Sequence, residues 1–173
     1  MLKRMGYNKF FLGDGYYKGV KMVEATEQLI KRIRPSEHND VDVQMVGGSD
    51  DATEACLRAY KYEDVSVVAL LRGKPVCYIG VRDMNEDLMG MMSGRIFIAL
   101  HTLNAKDNKL LMKTASEVIR RLGKCGFYKL YNIKYAGSEV ELKWLRALGF
   151  TEEPCENLAM DDTKLIYIER ILI

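Results

Sequence analysis

The sequence predicts one α+β domain, a mixed and mostly antiparallel sheet flanked by helices, and three observations predict it. Two apolar runs, 65–71 and 76–81, are separated only by Arg72-Gly73-Lys74-Pro75, which is the pattern of a β-hairpin. Residues 105–122 carry Leu111, Ala115, Val118, Ile119 and Leu122 at helical spacing, with Gly123 and Gly126 marking the end. Finally, Ser138-Glu139-Val140-Glu141 has capping-box spacing and leads into Leu142, Trp144, Leu145 and Leu148 before Gly149 closes the helix.

In chain order, residues 1–17 mix Tyr7, Phe10, Phe11, Tyr16 and Tyr17 with Gly6, Gly13 and Gly15 and read as an irregular, aromatic-rich arm. Its rings need a surface, either on the parent domain or on a partner. The domain proper spans 18–173. Val20 to Glu24 alternates as a half-buried strand does, and Thr26 is placed to cap a short helix with Leu29, Ile30 and Ile33 on one face, stopped at Arg34-Pro35. A second short helical segment is expected between Ser36 and Gly47-Gly48. A third opens at Asp50 or Asp51, with Glu54 in capping-box spacing and a stripe of Ala52, Ala55, Cys56, Ala59 and Tyr60.

The hairpin follows, then a polar, methionine-rich connection over 85–94 and a third strand of that sheet over 95–100. Met89, Met91 and Met92 read either as adaptable packing under a loop or as a ligand surface. After the long helix, the aromatic run 127–135 is a strand, the capped helix comes next, and 165–171 supplies a closing strand. Trp144, on an amphipathic helix, serves core packing or a partner contact.

Composition narrows the function. With 173 residues, 48% hydrophobic and 29% charged, the chain can bury one core without staples, and no repeat or linker divides it. A net charge of +2, from 26 basic against 24 acidic residues, leaves no clear nucleic-acid footprint; Lys31-Arg32-Ile33-Arg34 and Arg120-Arg121 fall at helix ends, where they complement the dipole. Cys56, Cys77, Cys125 and Cys155 are widely spaced, and with His38 and His101 as the histidines they form no metal motif, so no metal is expected. Charges interrupt the N-terminal apolar residues, no stretch is long enough for a bilayer, and the expected compartment is cytoplasmic.

The element order resembles the GNAT (N-acetyltransferase-like) superfamily over about residues 20–173, most sharply in the segment from Ser138 through Trp144-Leu145-Arg146-Ala147-Leu148-Gly149-Phe150. Glu24-Ala25-Thr26, Arg72-Gly73-Lys74-Pro75-Val76 with Gly80 beyond, and Trp144-Leu145 to Gly149-Phe150 resemble a group of tailed-bacteriophage GNAT-like proteins that includes an internal virion protein. The superfamily resemblance implies a sheet splayed between its fourth and fifth strands, the gap receiving the pantetheine arm of an acyl-CoA.

It also implies sites that this sequence only partly supplies. GNAT enzymes hold the CoA diphosphate with a glycine-rich turn before the helix that follows the fourth strand, because helix-terminal N–H groups point at the anion. Here that stretch is 101–109, without glycine; Thr102, Leu103, Asn104 and Lys106 stand in the cofactor positions, with Ser138 at the start of the capped helix, while Asp107 opposes phosphate. The place of the tyrosine acid holds Leu145, which donates no proton, so Tyr131 or Tyr135 would have to serve. His101 is the candidate base or a structural residue, with Glu86 and Asp87 weaker candidates. The missing loop and acid favour a non-catalytic phage virion or assembly component with no cofactor, partnered by other phage proteins or by itself, in the host cytoplasm or the particle. The fold favours the alternative, an acetyl-CoA-dependent N-acetyltransferase with a non-standard cofactor loop.

Overall fold

The structure, a computed structural model, describes residues 9, 11–13, 16–33, 52–101, 103–136, 139–155 and 165–172. The helical segment expected after Ser36 lies outside them, as do Thr102 and Ser138.

Strand β1 (Val20–Glu24) leads to helix α1 (Glu27–Ile33), where the Thr26 hydroxyl accepts from the Leu29 N–H at 3.2 Å, the expected cap. Helix α2 (Ala52–Tyr62) precedes β2 (Val65–Leu71) and β3 (Lys74–Glu86). Their turn has positive φ at both Arg72 (51°) and Gly73 (79°), so its twist matches that of the strands. Strand β4 (Met92–Leu100), helix α3 (Ala105–Lys124), β5 (Phe127–Tyr135), α4 (Glu139–Ala147), β6 (Thr151–Pro154) and β7 (Leu165–Ile171) follow. Among the described residues the sheet has seven strands in the order β1-β2-β3-β4-β5-β7-β6, antiparallel throughout except for β4 against β5.

One expectation needs correction. The connection over 85–94 is half strand: after a bulge between Arg82 and Asn85, Asn85 pairs with Ser93 and Glu86 with Met92. Backbone groups carry that pairing whatever the side chains are, which is why the polar composition hid it. The turn itself is tied by Asp87, whose carboxylate accepts from the Met89 and Met91 N–H groups at 2.9 Å each. Met89 and Met91 stand exposed at its tip, and Met92 packs against the core.

Two cores sandwich the sheet. On one face Ile30 and Ile33 of α1 and Cys56 of α2 pack on Val68, Tyr78, Phe97 and Ala99. On the other, Leu111, Ala115, Val118, Ile119 and Leu122 of α3 and Leu142, Leu145 and Leu148 of α4 cover Val67, Ile79, Ile96, Leu130 and Ile168. Trp144 is half-buried against this second core. The described part of the arm packs on the parent domain: Phe11 is fully buried, Gly13 bridges to Met22, Tyr16 donates to the Phe11 carbonyl at 2.7 Å, and the Arg121 guanidinium lies 4.1 Å from the centre of the Tyr16 ring.

Candidate functional site

Strands β4 and β5 begin side by side and then part. Their parallel pairing runs from Met92 and Phe127 to Arg95 and Tyr131, and stops there although β4 continues to Leu100 and β5 to Tyr135. Gly94 lets the paired section close: a Cβ there would stand 2.6 Å from Val81 Cγ1 and 2.9 Å from Phe127 Cε1. From Ile96 onward the two strands no longer pair, and this unpaired gap, the cleft, has its base at the fork of Arg95 and Tyr131 and its mouth at the C-terminal ends of the strands, towards His101 and the start of α3.

The fork is polar although it is buried. Asn132, only 2% exposed, donates from Nδ2 to the Ile96 carbonyl at 2.7 Å, and its Oδ1 accepts from the Ile133 N–H at 2.8 Å and from Arg95 Nε at 3.0 Å. Two residues further on, Lys134 is buried with its Nζ 2.6 Å from Glu141 in the first turn of α4, so β5 is tied to α4 by an ion pair largely shielded from water. These side chains alternate with Tyr131, which shares the α1/α2 face with Phe97. Tyr131 stacks on Tyr167 of β7, ring centres 6.1 Å apart. Burial, then the charge of Glu169, pushes the Tyr167 hydroxyl up to about 12, so it stays protonated at neutral pH.

At the mouth, His101 is half-buried with its N–H bonded to the Val76 carbonyl at 2.9 Å. It also lines a cavity of about 450 Å³ on the β3 side of β4, shared with Arg32, Arg72, Lys74, Leu103 and Asp107. The α3 N-terminus next to it is capped by Asn104. Asn104 Oδ1 accepts from the Asp107 N–H and Asn104 Nδ2 donates to the Asp107 carboxylate, both at 2.9 Å, and Arg72 reaches the same carboxylate at 3.1 and 3.4 Å. Burial opposes charge on Asp107, but the bonds from Arg72 and Asn104 outweigh it and hold the carboxyl below its usual range.

Of the expected site residues that are described, His101, Leu103, Asn104, Lys106 and Tyr135 lie towards the mouth, and Tyr131 stands apart from them at the fork. Six residues of strand, roughly 20 Å, separate His101 at the mouth from the level of Tyr131 at the fork. Asn104 is committed to capping, Leu103 packs against the core, and Lys106 is exposed at the mouth. Tyr135 ends β5, beside the mouth. Leu145 is in the core, and Asp87 and Glu86 sit at the opposite end of β4, where neither reaches the cleft. Residue-by-residue reading missed Asn132, Lys134, Tyr167 and the basic side chains Arg32, Arg72 and Lys74. An asparagine and a lysine on the inward positions of an otherwise apolar alternation, Leu130, Asn132, Lys134, were the available signal.

No protein-family model matches the sequence, and no curated protein matches it. Solved structures do. The protein yncA from Salmonella typhimurium, assigned as an acetyltransferase and solved with its cofactor acetyl-CoA, matches with a TM-score of 0.62 at 15% identity, over 90% of this chain and 95% of its own. RimL, a ribosomal L7/L12 alpha-N-protein acetyltransferase in complex with coenzyme A, matches with a TM-score of 0.63 at 11% identity, over 91% and 96%. A ribosomal-protein-alanine N-acetyltransferase from Brucella melitensis matches with 0.60 at 15%, over 87% and 99%. At such identities the likeness is one of architecture, and with the strand order and the parted fourth and fifth strands it makes this chain a protein of the GNAT acetyltransferase fold.

Proposed function

We propose that the chain is an acyl-CoA-dependent N-acyltransferase whose cofactor loop is non-standard. The observation that carries this reading is the parallel seam that opens after Arg95 and Tyr131; Arg32, Arg72 and Lys74 line a cavity with His101 beyond the end of β4. The mouth-to-fork span, Ile96 to His101, is five residues or about 17 Å. A pantetheine arm, with roughly a dozen chain bonds between phosphate and sulfur, spans ~14 Å when extended. Phosphates met at the mouth therefore leave the thioester near the fork.

On this reading the residues take different parts from those expected from the sequence. His101 belongs to the phosphate end with Arg32, Arg72 and Lys74, where positive charge, in place of close backbone approach, attracts the anion. Arg72 already neutralises Asp107, which lessens the repulsion that a carboxylate in the first turn of α3 would exert. An acyl-CoA supplies an activated thioester, and transfer to an amine requires a proton for the departing thiolate. Tyr131, at the level of the fork and stacked on a protonated Tyr167, is the residue placed to give it.

A second reading keeps the fold and drops the reaction: a structural or assembly component of a phage particle, self-associating or bound to other phage proteins. It is favoured by the glycine-free 101–109 turn and by the burial of Leu145 at the position of the usual acid. Calorimetric titration with acetyl-CoA and CoA separates the two. The enzyme reading expects saturable micromolar binding that weakens at least tenfold in Arg72→Ala/Lys74→Ala. It also expects thiol release with an amine acceptor to drop at least tenfold in Tyr131→Phe, binding unchanged. No heat at millimolar ligand would sink it in favour of the second reading.

A further inference from the structure

The cleft ends on a side chain. In a continuous parallel ladder the Ile133 N–H and the Ile96 carbonyl would each find a partner on the facing strand. Here one carboxamide serves both: Asn132 Oδ1 takes the Ile133 N–H of its own strand, and Nδ2 gives a hydrogen bond to Ile96 on the other. An extra amide unit is thus inserted between the strands at the level where pairing stops. Arg95 Nε adds a second donor to Oδ1, so the carboxamide has one sensible orientation: oxygen toward two donors, nitrogen toward a carbonyl.

We infer that Asn132 is the floor of the acyl slot and restricts it to short acyl groups, an inference that rests on the acyl-CoA reading above. The arm length places the thioester near the fork, where the acyl group meets this carboxamide. The floor is 2% exposed and held by three hydrogen bonds. A longer chain would have to push it aside, leaving buried backbone groups without partners that methylenes cannot replace. Ile96 and Leu130, both buried beside it, offer no alternative path of yielding side chains in a close-packed interior.

The test is titration of the full chain with acetyl-, propionyl- and butyryl-CoA. The wild type is expected to bind acetyl-CoA at least tenfold more tightly than butyryl-CoA. Asn132→Ala removes the floor and should bring that ratio down to about threefold or less, whereas Asn132→Gln raises the floor by one methylene and should weaken propionyl-CoA severalfold relative to acetyl-CoA. Opposite shifts in the two variants are not produced by general loosening, and thermal melts establish that each is folded. Should a variant fail to fold, the wild-type ratio alone decides. A wild type that binds acetyl- and butyryl-CoA within twofold overturns this inference while leaving the acyl-CoA reading intact, as do folded variants whose ratios do not move. A wild type that binds none of the three thioesters overturns both.

Discussion

Strands β2 and β5 lie in the same sheet and teach opposite lessons. Six of the seven residues of β2, Val65 to Leu71, are buried, and its ladder partners flank it on both sides. Strand β5 pairs with β7 from Lys129 to Tyr135 but with β4 only as far as Tyr131, and Asn132 and Lys134 are buried where that second partner is lost. Apolar burial is sufficient where backbone groups can pair with each other. Where a sheet is held open, polar side chains must take over the work of the missing strand.

Substitutions can break that contrast. The largest effect is expected from Lys134→Ala, which strands the Glu141 carboxylate in a mostly buried place and should cost about 3 kcal/mol in urea unfolding, whereas Lys134→Met with Glu141→Leu should lie within about 1 kcal/mol of wild type. In the closed half the corresponding loss is one of volume, and Ile79→Ala should cost about 3 kcal/mol with no partner change able to restore it. Gly94→Ala, with its Cβ driven against Val81 and Phe127, should cost about 2 kcal/mol and widen the seam from below, seen as faster amide exchange at Leu130 and Tyr131.

Arg72 gives a smaller and more discriminating effect. It has a positive φ and also binds Asp107, so Arg72→Ala loses the ion pair and keeps the strained backbone, while Arg72→Gly loses the ion pair and relieves the strain. The glycine variant should be the more stable by about 1 kcal/mol in thermal or urea melts. The smallest is electrostatic. Hydrogen bonds from Arg120, and then from Arg121, outweigh the opposing burial and draw Glu117 down to about 2 from 4.5. A depressed carboxyl stabilises the fold fully above its unfolded value and loses that contribution as pH falls from about 4.5 to 2, so Glu117→Gln should flatten the acid limb of the melting-temperature profile in that window.

The fold was legible because its signals are local. The Arg72-Gly73 turn, the five apolar positions of α3 and the Gly149 stop each follow from neighbouring residues, and that turn and those two helices sit where they were expected. The candidate site was less so. Asn132 and Ile96, Arg72 and Asp107, and Tyr131 and Tyr167 meet across 36, 35 and 36 positions of chain, and nothing in the local pattern says which pairs converge. His101 drew attention as a histidine at a strand end, yet the level at which β4 and β5 part is set by where their pairing stops, which no single residue announces.

The short parallel seam also has a consequence for how the chain acquires its structure. Strands β1 to β4 join through antiparallel neighbours, two of them by tight turns, whereas β5 reaches β4 only after the whole of α3 and then pairs over a few residues. Contacts that close long loops form late, so the β1–β4 meander should be the early unit and β5-β7-β6 the late one. The line along which the two units finally meet is the same line along which the strands part, and a protein assembled in that order acquires its cleft in its last folding step.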